Sequence, residues 1–188
     1  MPDRFELHTT CLAGVVGIHP QKREDSRGSF TRLFCEQDLR ELGFGASIAQ
    51  INTSSTLVKG SIRGLHFQRP PHAEAKIVIC MRGCVFDVAV DVRKGSATFL
   101  KWHGETLNGD QLNALYIPPG CAHGFQALSD DCQLLYLHST PYHPASEGVI
   151  HAFEPQVNIA WPLEPRAMSQ RDQATAPLGA HFQGLSMS

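Results

Sequence analysis

The chain has no apolar run approaching the ~18 residues that a membrane-spanning helix requires. Its first ten residues, MPDRFELHTT, also lack the apolar segment of a secretory signal. Both absences predict a cytoplasmic protein with no membrane partner. Neither sign of charge is in excess: the net charge is −2 and only 18% of residues are charged. That balance removes the electrostatic case for a nucleic-acid partner, so any basic patch must be local and serve a small anion. The six cysteines, Cys11, Cys35, Cys80, Cys84, Cys121 and Cys132, contain no CxxC pair. Their spacing supports neither a zinc nor a disulfide framework, and they are expected to be structural thiols behaving as small hydrophobes. There is no internal repeat, low-complexity tract or linker before about residue 162. A length of 188 residues is then read as one domain, 1–188, able to bury a sizeable core.

What is present is a series of short β-branched or aromatic runs separated by Gly, Pro, Asn and Asp. They read KIVICMRG, CVFDVAVDVR, ATFLKWHGETL, ALYIPPG, HGFQALS and CQLLYLHST. The spacing is that of an all-β sandwich or barrel. FCEQDLRELGFG predicts one short helix ahead of them, with Phe34, Leu39 and Leu42 apolar and Gly43 and Gly45 as its stop. A second short helix or a loop is expected in the C-terminal tail. In VFDVAVD, Phe86, Val88 and Val90 share one face, and Asp87, Ala89 and Asp91 the other. A carboxylate at Asp87 is then either an edge residue or part of a polar cavity inside the barrel.

One corner is unusually rich in cationic and titratable groups. RGLHFQRPPHAEAK, residues 63–76, places Arg63, His66, Arg69, His72 and Lys76 around a Pro-Pro turn. Strict alternation would send Arg63 and His66 to opposite faces. Gly64 between them predicts a bulge or kink that reunites them.

PPGCAHGF, residues 118–125, holds P-x-G-x-x-H through Pro118, Gly120 and His123. It resembles the second half-motif of the cupins, whose fold is a double-sheet jelly roll. The matching H-x-H is broken, because Gln68 stands two residues after His66, and His72 and Glu74 lie in the Pro-rich turn. A metal enzyme usually offers about three protein ligands, so the pocket is expected to hold no metal.

RGLHFQ…AK…G-x-VFDV-x-VD-x-R-x-GS-x-TF, then IP-x-G-x-AHGF, YL…Y-x-P and I-x-WP, resemble the dTDP-4-dehydrorhamnose 3,5-epimerase family, as do DSRGSF (25–30) and QINTS (50–54). The resemblance runs from about residue 17 to 173, leaving a tail of about 174–188. It implies a metal-free, cofactor-free cupin jelly roll with short helices in the N-terminal region and tail. The implied reaction inverts C3 and C5 of a nucleoside-diphosphate-4-keto-6-deoxy sugar, taking dTDP-4-dehydro-6-deoxyglucose to dTDP-4-dehydrorhamnose. Such chemistry needs a base on one face of the ring, an acid on the other and a cation at the oxygen that becomes an enolate.

His66, which titrates near neutrality, is the natural base. By resemblance its carboxylate partner is Asp172, with Asp87 as the second candidate. The resemblance also makes Lys76 the cation at the keto oxygen and Tyr136 the opposite-face acid. Arg27, Arg63 and Arg171 match positions that meet phosphate or nucleotide, and Phe30 and Tyr142 match residues that stack on the base. Gln50, Asn52 and His123 complete the substrate-binding set, while Arg69 and His72 match nothing and are expected in a solvated loop. The family forms homodimers in which the segment carrying Arg27 and Phe30 reaches the neighbour's site. One departure stands out: Thr31 and Arg32 occupy the place of an acidic residue in many relatives, reversing a charge near the base-binding end. The remaining alternatives are a C3-only epimerase, a metal-dependent cupin enzyme and a sugar-binding jelly roll without chemistry.

Overall fold

The structure is a computed structural model and describes residues 5–42, 44 and 48–187. Among the described residues, thirteen strands and two short α-helices follow one another along the chain. The strands are β1 (Phe5–Thr9), β2 (Val16–Pro20), β3 (Lys22–Asp25), β4 (Gly28–Thr31), β5 (Gln50–Thr56), β6 (Ile62–Gln68) and β7 (Lys76–Arg82). They continue as β8 (Cys84–Asp91), β9 (Trp102–Asn108), β10 (Ala114–Ile117), β11 (Cys121–Ala127), β12 (Cys132–His138) and β13 (Glu147–Val149). The helices are α1 (Glu36–Leu39) and α2 (Gln170–Gln173). A six-stranded sheet, β1-β2-β10-β7-β12-β5, faces a five-stranded sheet, β13-β6-β11-β8-β9, and β3-β4 form a separate hairpin. This is the jelly-roll arrangement expected from the runs and motifs.

Three apolar layers explain why the central strands are hydrophobic on both faces. Between the sheets, Val78, Cys80, Leu115 and Leu134 meet Val85, Ala89, Leu107 and Phe125. Outside the six-stranded sheet, Ile77, Ile79 and Leu137 pack under Leu39 and Phe44. Outside the five-stranded sheet, Val88 and Val90 are covered by Trp161, Leu178, Phe182 and Leu185 from the C-terminal segment. Each fully buried Leu, Ile or Phe contributes about 1.5–3 kcal/mol. The continuous run IVIC thus splits by parity, Ile77 and Ile79 outward, Val78 and Cys80 inward. All six cysteines are free thiols.

The expected short N-terminal helix is present in reduced form, and one strand expectation is corrected. The N-terminal helix is a single α-turn followed by a 3-10 turn over Arg40–Leu42. No side chain caps its start, and only Leu39 on α1 is buried. Gly43 and Gly45, its expected stop, lie outside the described residues. ATFLKWHGETL is also not one strand: residues before Trp102 turn back, with Leu100 at φ +59° and its amide donating to the Asp91 carbonyl.

The bulge expected near Gly64 is present. His123 pairs with His66 and Phe125 with Arg63, so two residues of β6 oppose one of β11. Gly64 sits at φ +110°, and a Cβ there would come within 2.7 Å of the Gly124 Cα. Only glycine fits that close approach.

Candidate active site

The inward faces of both sheets change from apolar to polar towards one end of the sandwich. There they enclose a cavity of about 280 Å³ lined by Asn52 and Ser54 of β5, Arg63 and His66 of β6, Lys76 of β7, His123 of β11, and Tyr136 and His138 of β12. An adjoining lobe of about 200 Å³ shares His66, Lys76 and His138 and adds Gln50, Gln68, Tyr142 and Glu147. Register sets these positions: His66 faces His123, Lys76 faces His138 and Asn52 faces Tyr136. The bulge at Gly64 returns Arg63 to the inward face, beside His66.

His66 Nε2 donates to Asp172 Oδ1 at 2.8 Å. Asp172 is buried on α2, where its backbone amide donates to the capping Ser169 hydroxyl. Asp87 is committed elsewhere, accepting from His123 Nε2 at 2.8 Å with no exposed surface. The polar-interior alternative for Asp87 is therefore the one realised, and Asp172 is the partner of His66. A carboxylate only accepts, so Nε2 of His66 carries the proton and Nδ1 keeps its lone pair. Burial holds the His66 imidazole below its ordinary range, with the Arg171 and Lys76 charges adding to it, although Asp172 pulls the other way. Burial would raise the Asp172 carboxyl, but the hydrogen bond from His66, with those from Ser169 and the Gly64 amide, outweighs it and keeps the carboxyl below its usual range. The pair is thus a neutral imidazole beside a carboxylate.

Lys76 is buried, with Nζ 2.9 Å from Glu74 and 3.4 Å from the His66 carbonyl. An ammonium has three donors, so one remains for a ligand oxygen. Tyr136 shares a 2.9 Å hydrogen bond with Ser54 and meets the His123 ring edge-on at 6.1 Å. Burial pushes its hydroxyl well above the usual phenol range, so it is a proton donor at neutral pH. Gln68, at the broken cupin position, donates to Glu74 and the His72 carbonyl and accepts from the His143 amide. Its side chain is not free to ligate.

The remaining residues divide by place. Arg63 reaches across to Thr56 and the Ser55 carbonyl at the cavity mouth. Gln50, Tyr142 and Arg171 gather around the second lobe, where Tyr142 and Arg171 both bind Glu147. Arg27 and Phe30 lie apart, on the β3-β4 hairpin, with Arg27 paired to Asp25 and Phe30 69% exposed. Arg32 lies 3.8 Å from Asp38, so the reversed charge has an acidic neighbour of its own. Arg69 is exposed as expected. His72 is only partly exposed, stacking on His143 at 3.8 Å and hydrogen-bonding Ser146.

Ser54, Glu74 and His138 were not anticipated from the sequence. For His138 a signal existed: it follows Tyr136 by two in LLYLHST and so shares its face. Burial, then the Lys76 charge, pushes its imidazole down to about 4, so it is a neutral polar wall residue.

The chemistry of this cavity can be set beside known proteins. The family profile described as dTDP-4-dehydrorhamnose 3,5-epimerase matches residues 9–179. A dTDP-4-dehydrorhamnose 3-epimerase of Streptomyces niveus is 41% identical over 90% of this chain and 82% of its own length. A dTDP-4-dehydrorhamnose 3,5-epimerase of Methanothermobacter thermautotrophicus is 40% identical over 93% of this chain and 95% of its own. Among solved structures, a dTDP-6-deoxy-D-glucose-3,5-epimerase of Legionella pneumophila, in complex with dTDP-4-keto-L-rhamnose, superposes with a TM-score of 0.90. It is 36% identical, covering 98% of this chain and all of that one.

Proposed function

The chain belongs to the dTDP-4-dehydrorhamnose 3,5-epimerase family, and on that premise we propose that its cavity inverts C3 and C5 of a dTDP-linked 4-keto-6-deoxy sugar, with His66 as base and Tyr136 as acid. One observation carries this reading. His66 projects from the five-stranded sheet and Tyr136 from the six-stranded sheet, so the two reach the cavity from opposed walls. Inversion at carbon needs a proton removed from one side and returned on the other, and binding alone needs neither. Lys76 holds the C4 oxygen as it gains charge, a contribution of about 3–4 kcal/mol for one oriented donor. Arg63, with Arg171, takes the diphosphate, since guanidinium forks match phosphate oxygens. No step passes through a metal or cofactor.

The test is solvent exchange. In deuterium oxide with dTDP-4-keto-6-deoxyglucose, deuterium is expected at both C3 and C5, followed by NMR, together with inverted product. A second reading, inversion at C3 alone, has the Streptomyces niveus 3-epimerase in its favour, and deuterium confined to C3 would select it. No exchange at either carbon would overturn the epimerase assignment.

We further propose that the protein works as a homodimer. β5 is an open edge of the six-stranded sheet with Ile51 59% exposed, and the hairpin carrying Arg27 and Phe30 lines neither lobe of the cavity of its own chain. Unpaired edges invite pairing by a second copy. Arg27→Ala and His66→Asn variants, each weak alone, should recover about a quarter of parental activity when co-expressed, because half the assemblies are then mixed with one intact site each. No recovery, or a fully active monomer by light scattering, would show that the hairpin serves its own chain.

A further inference from the structure

A second group of titratable side chains lies at the other edge of the sandwich, on strands that take no part in the cavity. β1 and β2 end the six-stranded sheet, and β9 ends the five-stranded one. On β9, Glu105 and His103 alternate in phase with Leu107, which is buried between the sheets. On β2, Val16 and Ile18 pack on the outer layer, so Gly17 and His19 face the opposite sheet. His8 is paired with Gly17 and shares that orientation. Positions that would ordinarily be apolar in a sandwich thus carry three imidazoles and a carboxylate.

Their geometry is that of a ligand set. His8 Nε2 lies 3.2 Å from Glu105 Oε2, and His19 Nε2 lies 3.8 Å from Glu105 Oε1. One atom from each of the three residues falls within 4.8 Å of the others, and this is the one such group of three among the described residues. Bonds of about 2.1 Å at a tetrahedral centre hold ligands about 3.4 Å apart, so small rotations of two half-exposed histidines close the site. His103 Nε2, 3.4 Å from Glu105 Oε2, donates to the same carboxylate from the side. A donor in that place orients a ligating carboxylate. The backbone is also shaped for it, because a Cβ at residue 17 would lie 1.9 Å from His8 Cε1. The His8 ring occupies space that any other residue at 17 would fill.

We propose that His8, His19 and Glu105 bind one divalent transition-metal ion of the Zn²⁺ class, with His103 as positioning residue, and that the ion ties the edges of the two sheets together. Two imidazoles and one carboxylate suit zinc and its late first-row neighbours, not magnesium or calcium, which take oxygen ligands. Fourth and further positions remain for water. The site is structural: it joins elements and is separated from His66 on β6 by β11 and β8 within the five-stranded sheet.

Metal-stripped protein titrated with Zn²⁺ alone should take up one equivalent per chain. At about a hundredfold excess over Kd, its melting temperature should rise by roughly 5–10 °C. Binding should be lost in His19→Asn and in Glu105→Gln, and weakened roughly 10–100-fold in His103→Ala, while each variant melts in EDTA as the stripped parent does. His19, which is 41% exposed in its side chain, is the substitution least able to disturb folding. Absence of stoichiometric uptake would overturn the site. So would uptake unchanged in His19→Asn and Glu105→Gln, which would place the ion on other histidines.

Discussion

Replacing His66 with asparagine is expected to lower turnover by roughly 10²–10⁴-fold, the usual contribution of a positioned general base. Asparagine keeps the approximate size and a donor for Asp172, so the buried carboxylate is not left without a partner. The loss then reports the missing lone pair and not a collapsed site. The pH profile supplies an independent check. Burial, with Arg171 and Lys76, holds His66 below the ordinary imidazole value of 6.5. The base works only when neutral, so kcat/KM should be flat at neutral pH and fall on acidification, with its midpoint below 6.5. Asp172→Asn removes the carboxylate that pulls His66 upward, and should move that midpoint further towards acid as well as slow turnover. Activity of His66→Asn within a few-fold of the parent, with unchanged stability, would remove His66 from the mechanism.

How much of this was readable in the chain depends on what each segment buries. β7, β8, β10, β11 and β12 are covered on both faces or alternate cleanly, so their apolar runs announced them. β3 is exposed along its whole length and β5 is mostly exposed, so neither has an apolar period to read. QINTS stood out only as a motif. Arg63 and His66 could be placed on one face because Gly64 broke the alternation in plain sight. The His66–Asp172 pair is different in kind, since 106 residues separate the partners and α2 is a single turn. Nothing local in SQRDQ says that a carboxylate will be buried against β6, and only the resemblance pointed there. The choice between Asp172 and Asp87 was settled by tertiary contact, as the C-terminal segment folds back over the five-stranded sheet. Glu74 was obscured because the Pro-Pro turn gave no strand direction to follow, yet it is the ion-pair partner of Lys76.

That ion pair bears on how the enolate is held. On the proposed mechanism Lys76 would start the reaction already paired with Glu74 and enter as an oriented donor more than as a bare charge. A cation fixed by a buried carboxylate costs little reorganisation when charge appears on the sugar oxygen. Burial, then the Lys76 charge, pushes His138 down to about 4 and leaves it uncharged beside the pair. On the proposed mechanism the ketone then meets Lys76 as an oriented cation, with His138 as an uncharged wall residue beside it.

Tyr136→Phe is expected to separate the two halves of the reaction. The phenylalanine ring keeps the packing against His123 while the hydroxyl, and its hydrogen bond to Ser54, is lost. Abstraction by His66 continues, and Lys76 still holds the enolate, so deuterium should keep washing from solvent into the substrate. With the assigned acid gone, His66 itself returns the label to the face it came from, and epimer formation should fall by roughly 10²–10⁴-fold. The phenolate formed after each donation is a buried anion, and burial is the first cause of the raised hydroxyl value. Ser54 donates to that oxygen and the Arg63 charge favours it, so these two residues lower the cost of each donation. Double inversion uses the donor twice, and the C5 centre should therefore be affected at least as strongly as C3. Normal epimer yield from Tyr136→Phe at both carbons would place the acid elsewhere, with Tyr142 or a bound water next in line. Loss of exchange together with epimerisation would instead give Tyr136 a role in shaping the cavity, since a residue that acts only as donor has no part in removing the first proton.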